Sequence, residues 1–516
     1  MHIWTKFISE QIMTNSRCGK NDRSDITIHS GKNMSASCLV CLRHEGDFTV
    51  THISADENTP EGVSFRYNFR DNIIYNDGVP YPDILSGEKE KSVLAHTTCS
   101  VVVSFDVSQD ASAGKVMIPV KFTTNAGEYT AKISLVIHNV TLPEPADSDF
   151  GHEYFFTARG YFPMNAANAK SPDAVIRYSD KWEELMTNYA KAMKYLRVNT
   201  LWMPIVEFLA DAGSKRVAKD KWEFDFSLVD KTLDIFLKNG SFKYVAITGS
   251  VSPVDGNNIQ SIDENGALRK FDIPSEDADI WAEVYYTAIY NYFKERNILH
   301  MLRVHLQDEP HKTVHWKWLR DICRKVMPDI VCGEPLDIHD MSEELDGYAD
   351  WFVPRLEVYQ QDPVFYHKQV KNGKELWVYS CCFPEDNWWL NKFVDLPYAY
   401  SRFIKYACFS QNITGFLHWG FNFVDNVMYG IKPQARFKGD GHIIYPDEKN
   451  NDVLMSMRGL ETKDGLQDWE LLNMLRKINP KAAYTIANSV AQSFTDFTQD
   501  LAAPEKAREQ ILNMLD

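Results

Sequence analysis

The chain has 516 residues, 44% of them hydrophobic and 24% charged; this excludes a disordered protein and, at about 150 residues per domain, leaves room for roughly three domains, or one large domain plus a smaller one. Its 55 basic and 71 acidic residues give a net charge of −16, a field that repels phosphate backbones and anionic lipids, so no nucleic-acid partner is expected. No stretch reaches the roughly 20 apolar residues of a membrane span.

The first twenty residues hold no apolar run of signal-peptide type, which leaves the compartment unknown: the protein is cytosolic or its true start lies upstream. Nine cysteines are scattered without a disulfide framework; Cys38 and Cys41 form a C-x-x-C with no second pair nearby. Up to about residue 140 the pattern is of strands. Tyr129, Ala131, Ile133, Leu135 and Ile137 alternate with a mostly polar set, the mark of a half-buried antiparallel strand. Val116 to Phe122 is its expected partner, and Ser100 to Ser108 and Cys38 to Ile53 read alike. Strands without helices predict a β-sandwich over 1–142. The acidic, proline-rich segment Leu142 to Asp149 reads as a linker.

Beyond it short apolar runs alternate with amphipathic stretches. Strands are expected at His152–Thr157, Thr200–Met203, Tyr244–Thr248, Met301–Leu306, Ile330–Cys332, Trp351–Val353, Leu376–Tyr379 and Gly415–Trp419, with helical stretches between most of them. This alternation predicts an α/β fold of the TIM type, a (β/α)8 barrel over 151–460. A doubly wound sheet is the alternative, weakened by the lack of a glycine-rich phosphate loop. The segment 461–516 is expected to form helices packed on the barrel, with Leu466, Trp469, Leu472 and Leu475 on one face and breaks at Pro480 and Pro504.

A barrel carries its chemistry at the C-terminal ends of its strands. Those ends bring forward Arg159, Trp202, Ser250, Asp308-Glu309, Glu334, Arg355, Glu357, Tyr359, Tyr379, Cys381-Cys382, His418-Trp419 and Asn422. Asp308 and Glu309 stand out, because two nearby carboxylates in a partly apolar site titrate apart. One then stays ionised while the other holds a proton, as glycoside cleavage requires. The same dipeptide could simply suit the start of a helix. Trp202, Trp388, Trp389 and Trp419 could stack on sugar rings or pack in the core. His311 and His315 lack a third ligand at metal spacing, and Cys381-Cys382 lacks a partnered His-Asp set, so neither a metal nor a thiol nucleophile is expected.

Several motifs together resemble glycoside hydrolase family 123. These are Gly127-Glu128-Tyr129-Thr130 to Val140-Thr141-Leu142-Pro143, Asp308-Glu309-Pro310, Trp377-Val378-Tyr379-Ser380-Cys381 through Asn391, Phe393, Asp395 and Arg402, and Gly415-Phe416-Leu417-His418-Trp419-Gly420-Phe421-Asn422. Gly439-Asp440-Gly441 to Tyr445-Pro446, Ser456-Met457-Arg458 and Asp464-Gly465 extend the likeness. The resemblance implies a retaining β-N-acetylgalactosaminidase acting without a cofactor on glycans with a terminal N-acetylgalactosamine. Asp308 would correspond to the carboxylate that orients the substrate's acetamido group and Glu309 to the general acid/base. The sugar's own carbonyl oxygen would be the nucleophile, a recognised exception to the two-carboxylate scheme. Tyr379, Asn422 and Trp419, with Tyr359, Arg159, Trp202 and His418, are the expected substrate-binding residues. The family usually begins with a signal peptide and a fuller sandwich, which this sequence does not show. Rival readings are a β-N-acetylhexosaminidase accepting the gluco epimer, another barrel glycosidase, and a non-catalytic carbohydrate-binding protein.

Overall fold

The computed structural model describes residues 1–55, 59–158, 175–424 and 437–516. Its N-terminal part is two five-stranded sheets. One runs in the spatial order His2–Phe7, Met34–Arg43, Thr98–Val107, Val63–Ile74, Pro80–Ser86, and the other Asp25–Lys32, Gly127–Thr141, Gly114–Thr124, Phe48–Ala55, Lys91–Val93. The strand anticipated around Tyr129–Ile137 pairs antiparallel with its expected partner, Ile133 opposite Ile118. Val40, Val101 and Val103 from one sheet and Ile118, Ala131 and Ile133 from the other fill a shared apolar core, while Thr130 and Lys132 face water. The strand Met34–Arg43 does not alternate, because it is covered on both sides: Cys38 and Val40 face the shared core, whereas Leu39 and Cys41 pack with Met457 and Leu460 of a C-terminal helix. Cys38 and Cys41 therefore point to opposite faces, and burial pushes both thiols up.

The Pro-rich junction is bonded in place rather than slack. It turns once at Pro145–Asp147. Arg197 donates to the Pro143 carbonyl at 2.6 Å, and the Asn199 amide donates to Pro145 and Phe150 carbonyls, both at 2.9 Å. Its prolines and acids read as a linker because sequence cannot reveal donors that arrive from some fifty residues away.

Nine short parallel strands then form one nearly closed ring. In spatial order they are Glu375–Leu376, Trp351–Pro354, Val331–Leu336, Leu302–His305, Tyr244–Thr248, Thr200–Met203, Gly151–Tyr154, Gly415–His418 and Val378–Ser380. The two end pieces are one stretch interrupted at Trp377, and a parallel bridge between Arg355 and Tyr379 spans the gap. Trp377 breaks the ladder because its ring lies across the barrel floor. Gly151 and Gly415 make room for it, since a Cβ at either would fall 1.9 or 2.2 Å from the indole. Arg303 fills the floor as well, its guanidinium 3.8 Å from the Tyr244 ring centre and bonded to Glu375 at 2.7 Å.

Helices cover the ring where the 3.6-residue pattern placed them, among them Asp180–Tyr195, Ser227–Asn239, Glu276–Glu295, Thr313–Val326, Pro363–Lys371 and Tyr400–Ser410. Ser179 and Ser275 cap two of them through side-chain oxygens. The expected division at 460/461 falls inside the helix Met457–Ile478, which starts at the Ser456 cap. This helix is buried almost throughout because it is wedged between the sheets and the ring. Its Asp468 holds Arg402 of the barrel and Arg508 of the last helix, each at 2.6 Å. Pro480 opens the helix Pro480–Val490, and Pro504 sits in the first turn of Ala503–Leu515.

Candidate active site

Side chains alternate along the strand Leu302–His305, with Arg303 and His305 turned into the barrel and Leu302 and Val304 turned out. Flat continuation would send Asp308 and Glu309 to opposite faces. The chain instead leaves the ladder after His305, and Glu309 takes a left-handed backbone, φ 46°. The tip is tied to the neighbouring loop: the Val254 N–H donates to the Asp308 carbonyl, and the Gln307 side chain donates to the Val254 carbonyl, both at 3.0 Å. Asp308 thus lines a cavity of about 340 Å³ with Phe155, Trp202, Gln260, Lys270 and Glu334, within the size range of small-ligand sites. Glu309, next along the chain, accepts a hydrogen bond of 2.5 Å from the Tyr379 hydroxyl.

Beneath the pair, Glu334 is buried and accepts the backbone N–H of Leu306 at 2.6 Å and of Gln307 at 3.0 Å, one on each oxygen. His305 meets the fully buried Glu153 at 3.1 Å. Burial, reinforced by the charge of Glu309, pushes Asp308 up to about 7. Glu309 is also raised, chiefly by burial, and the Tyr379 hydroxyl and the Arg355 guanidinium hold it partly down. Glu334 is driven well above the usual carboxylate range by burial and by the charge of Asp308. All three acids are thus raised above their ordinary values, a pattern that marks candidate proton-handling sites.

Of the expected binding residues, Trp202 stacks on Phe155 in the cavity wall, ring centres 5.1 Å apart, and Tyr379 touches Glu309. Trp419 packs with the inward-facing cluster of Tyr379 and Leu417, and its indole N–H donates to Asp440 at 2.7 Å. His418 is one residue away and faces outward, where Ser380 and Asp440 carbonyls each lie 2.7 Å from a ring nitrogen. Period two excludes it from the mouth. Asn422 is turned to structure: its amide both accepts from and donates to the Thr157 backbone, at 3.0 and 2.9 Å. Tyr359 lies on the helix Leu356–Gln361, buried against His367 at 3.0 Å and Gln411 at 3.1 Å. It left the site because the chain turns helical directly after Arg355. Arg159 lies outside the described residues. Trp388 is 58% exposed, while its neighbour Trp389 is buried.

Sequence reasoning missed Phe155, Gln260 and Lys270. The latter two belong to an inserted hairpin, Asn258–Ile262 with Leu268–Asp272. Its Asn265-Gly266 turn, with Gly266 at φ 83°, is a recognisable hairpin signal. A larger groove of about 660 Å³ lies between the sheets and the barrel, lined by residues including Asp106, Glu144, Lys194 and Arg197. Lys194 there pairs with Glu144, and Asp106 pairs with Arg66 outside the groove; the barrel cavity differs in sitting at the strand ends and containing Asp308 and Glu334. Among the described residues no cluster of three or more His, Cys, Asp or Glu side chains has metal-holding geometry.

The model of the glycoside hydrolase 123 catalytic domain matches residues 165–475, more than half of the chain. The chain belongs to glycoside hydrolase family 123. No curated protein sequence matches this hydrolase. Among solved structures it is similar to a family 123 glycoside hydrolase from Clostridium perfringens, described for glycolipid glycan hydrolysis: 15% identity, 99% of this chain and 97% of that one covered, TM-score 0.75. That likeness shows a common fold for the sheets, barrel and C-terminal helices together. A xylanase from Cellvibrio japonicus, 11% identical with TM-score 0.38, covers 84% of this chain and 91% of its own.

Proposed function

We propose that this family 123 hydrolase is an exo-acting, retaining β-N-acetylgalactosaminidase working by substrate assistance, on glycans that end in N-acetylgalactosamine. In this reading the nearly closed ring is a (β/α)8 catalytic barrel, preceded by a β-sandwich and braced by the C-terminal helices. The observation that carries it is the adjacent pair, Asp308 in the cavity wall and Glu309 bonded to Tyr379.

Asp308 accepts the acetamide N–H and presses the acetamide oxygen toward C1. Glu309 gives its proton to the departing oxygen, the oxygen–C1 bond breaks as the acetamide oxygen closes an oxazolinium ring, and Glu309 then takes a proton from the water that reopens it. Burial raises both carboxyls; an N–H donated to Asp308 favours its ionised form, and the proton is then held by Glu309. The carboxylates that a double displacement would need are otherwise engaged. Glu334 spends both oxygens on backbone N–H groups, and Glu357 is paired with Arg355 at 2.5 Å.

The reading requires the 2-acetamido group. Turnover of 4-nitrophenyl β-N-acetylgalactosaminide is expected to exceed that of 4-nitrophenyl β-galactoside by at least about a thousandfold, since the latter lacks an intramolecular nucleophile. Comparable rates, or a trapped glycosyl ester on Glu334, overturn it.

Tyr379→Phe supplies a second check. The Tyr379 hydroxyl favours the charged form of Glu309, so its removal raises the Glu309 pKa. The acid then stays protonated to higher pH, and the basic limb of the kcat/KM profile moves upward. A limb that stays in place or moves down separates Tyr379 from the proton donor.

A further inference from the structure

All nine cysteines are free thiols, and seven are buried. Only Cys18 and Cys382 reach the surface in part. Burial, aided by the charge of Asp22, raises Cys18. Cys382 is different because of its neighbour: its sulfur lies 3.8 Å from that of Cys381, which is buried and packed in the inward cluster with Tyr379 and Trp351. A proton held on Cys381 steadies a thiolate on Cys382; burial and the charge of Glu309 oppose this and Arg355 supports it, and the balance brings Cys382 down to about 7. The turn is set by its own backbone, with the Cys381 N–H donating to the Phe383 carbonyl at 3.0 Å and the Asn391 amide donating to the Cys381 carbonyl at 3.0 Å. The mechanism above uses neither thiol.

We propose that Cys381 and Cys382 are a redox-modified pair, which a small-molecule disulfide closes into an adjacent-residue disulfide beside the active site and which thiols reopen. The Cys382 thiolate attacks one sulfur of a glutathione-type disulfide and expels one glutathione thiolate. Cys381 then loses its proton and attacks the Cys382 sulfur, expelling the second. Two protein thiols are oxidised by two electrons, and one external disulfide is reduced to two thiols. Neighbouring Cα atoms are about 3.8 Å apart, closer than the usual 4.4–6.8 Å of a disulfide, so the ring is strained and easily reduced. That favours a reversible modification over a structural bond. Tyr379 stands two residues before Cys381 and donates to Glu309, so closing the ring moves that donor.

The full chain is incubated with oxidised glutathione near pH 7.5, quenched in acid, and alkylated in denaturant for mass spectrometry. Two of the nine thiols are expected to escape alkylation, in a peptide spanning 381–382 that is about 2 Da lighter and carries no glutathione. Dithiothreitol restores full alkylation. Cys381→Ser should stop at one glutathione on residue 382, since the resolving thiol is gone. This readout is independent of which glycoside is cleaved. Full alkylation of the native chain, a persistent glutathione adduct on it, or a bond to any other cysteine overturns the proposal. Turnover of the best substrate should fall several-fold on closure and recover with dithiothreitol; an intact disulfide with unchanged turnover overturns its link to the active site.

Discussion

Asp308→Asn is expected to lower kcat by about 10²- to 10³-fold while making the folded protein more stable above neutral pH. The catalytic loss follows from the acetamide: an amide side chain offers a dipole where the reaction needs a full negative charge against the developing oxazolinium. The gain in stability follows from linkage. Burial and Glu309 raise the folded-state pKa of Asp308 to about 7, so between the ordinary carboxylate range and neutrality the folded protein holds a proton that the unfolded chain has released. Stability therefore falls as pH rises through that window, and above it the whole cost of an ionised buried carboxylate is present. Asn removes that cost, worth about 1–3 kcal/mol after allowance for partial exposure. In a chain of this size that is a few degrees in Tm. Calorimetry at pH 5 and pH 8 should show the variant's advantage mainly at pH 8. Near-normal turnover in a folded variant removes Asp308 from its role, and an equal Tm change at both pH values removes the electrostatic argument.

Glu309→Gln should separate substrates by their leaving groups. Glycosides with poor leaving groups are expected to lose about 10²- to 10⁴-fold, the usual worth of a positioned proton donor, whereas activated aryl glycosides lose less than about tenfold. The plot of log kcat/KM against leaving-group pKa should accordingly steepen in the variant. A parallel loss across the series would mean that Glu309 does not protonate the departing oxygen. The position of Glu309 sharpens this test: its left-handed backbone and the Tyr379 hydrogen bond fix the carboxyl independently of substrate, and Gln can keep that hydrogen bond through its carbonyl oxygen.

Local chemistry was legible where it sufficed. The alternation around Ile133 fixed a strand and its partner; the helical spacing of Trp182, Leu185, Met186 and Tyr189 buried that face; and the strand expected at Thr200–Met203 begins and ends there. The apolar strand before Asp308 and the proline after Glu309 marked a strand tip, and the tip rule of barrels selected the pair. The sequence by itself thus determined the α/β order, the family and the two carboxylates to be tested.

Tertiary structure decided the rest, because it turns on contacts between distant residues. Trp202 and Trp419 face inward but His418 outward, since a strand reverses direction at every residue. Asn422 is claimed by the Thr157 backbone, 265 residues away. Glu334 is taken up by the backbone of the adjacent strand's tip. The helix Met457–Ile478 joins what sequence had divided, because Asp468 on it is the shared partner of Arg402 and Arg508. Burial, which no local pattern reports, raised Asp308 to about 7, the shift on which its proposed role rests.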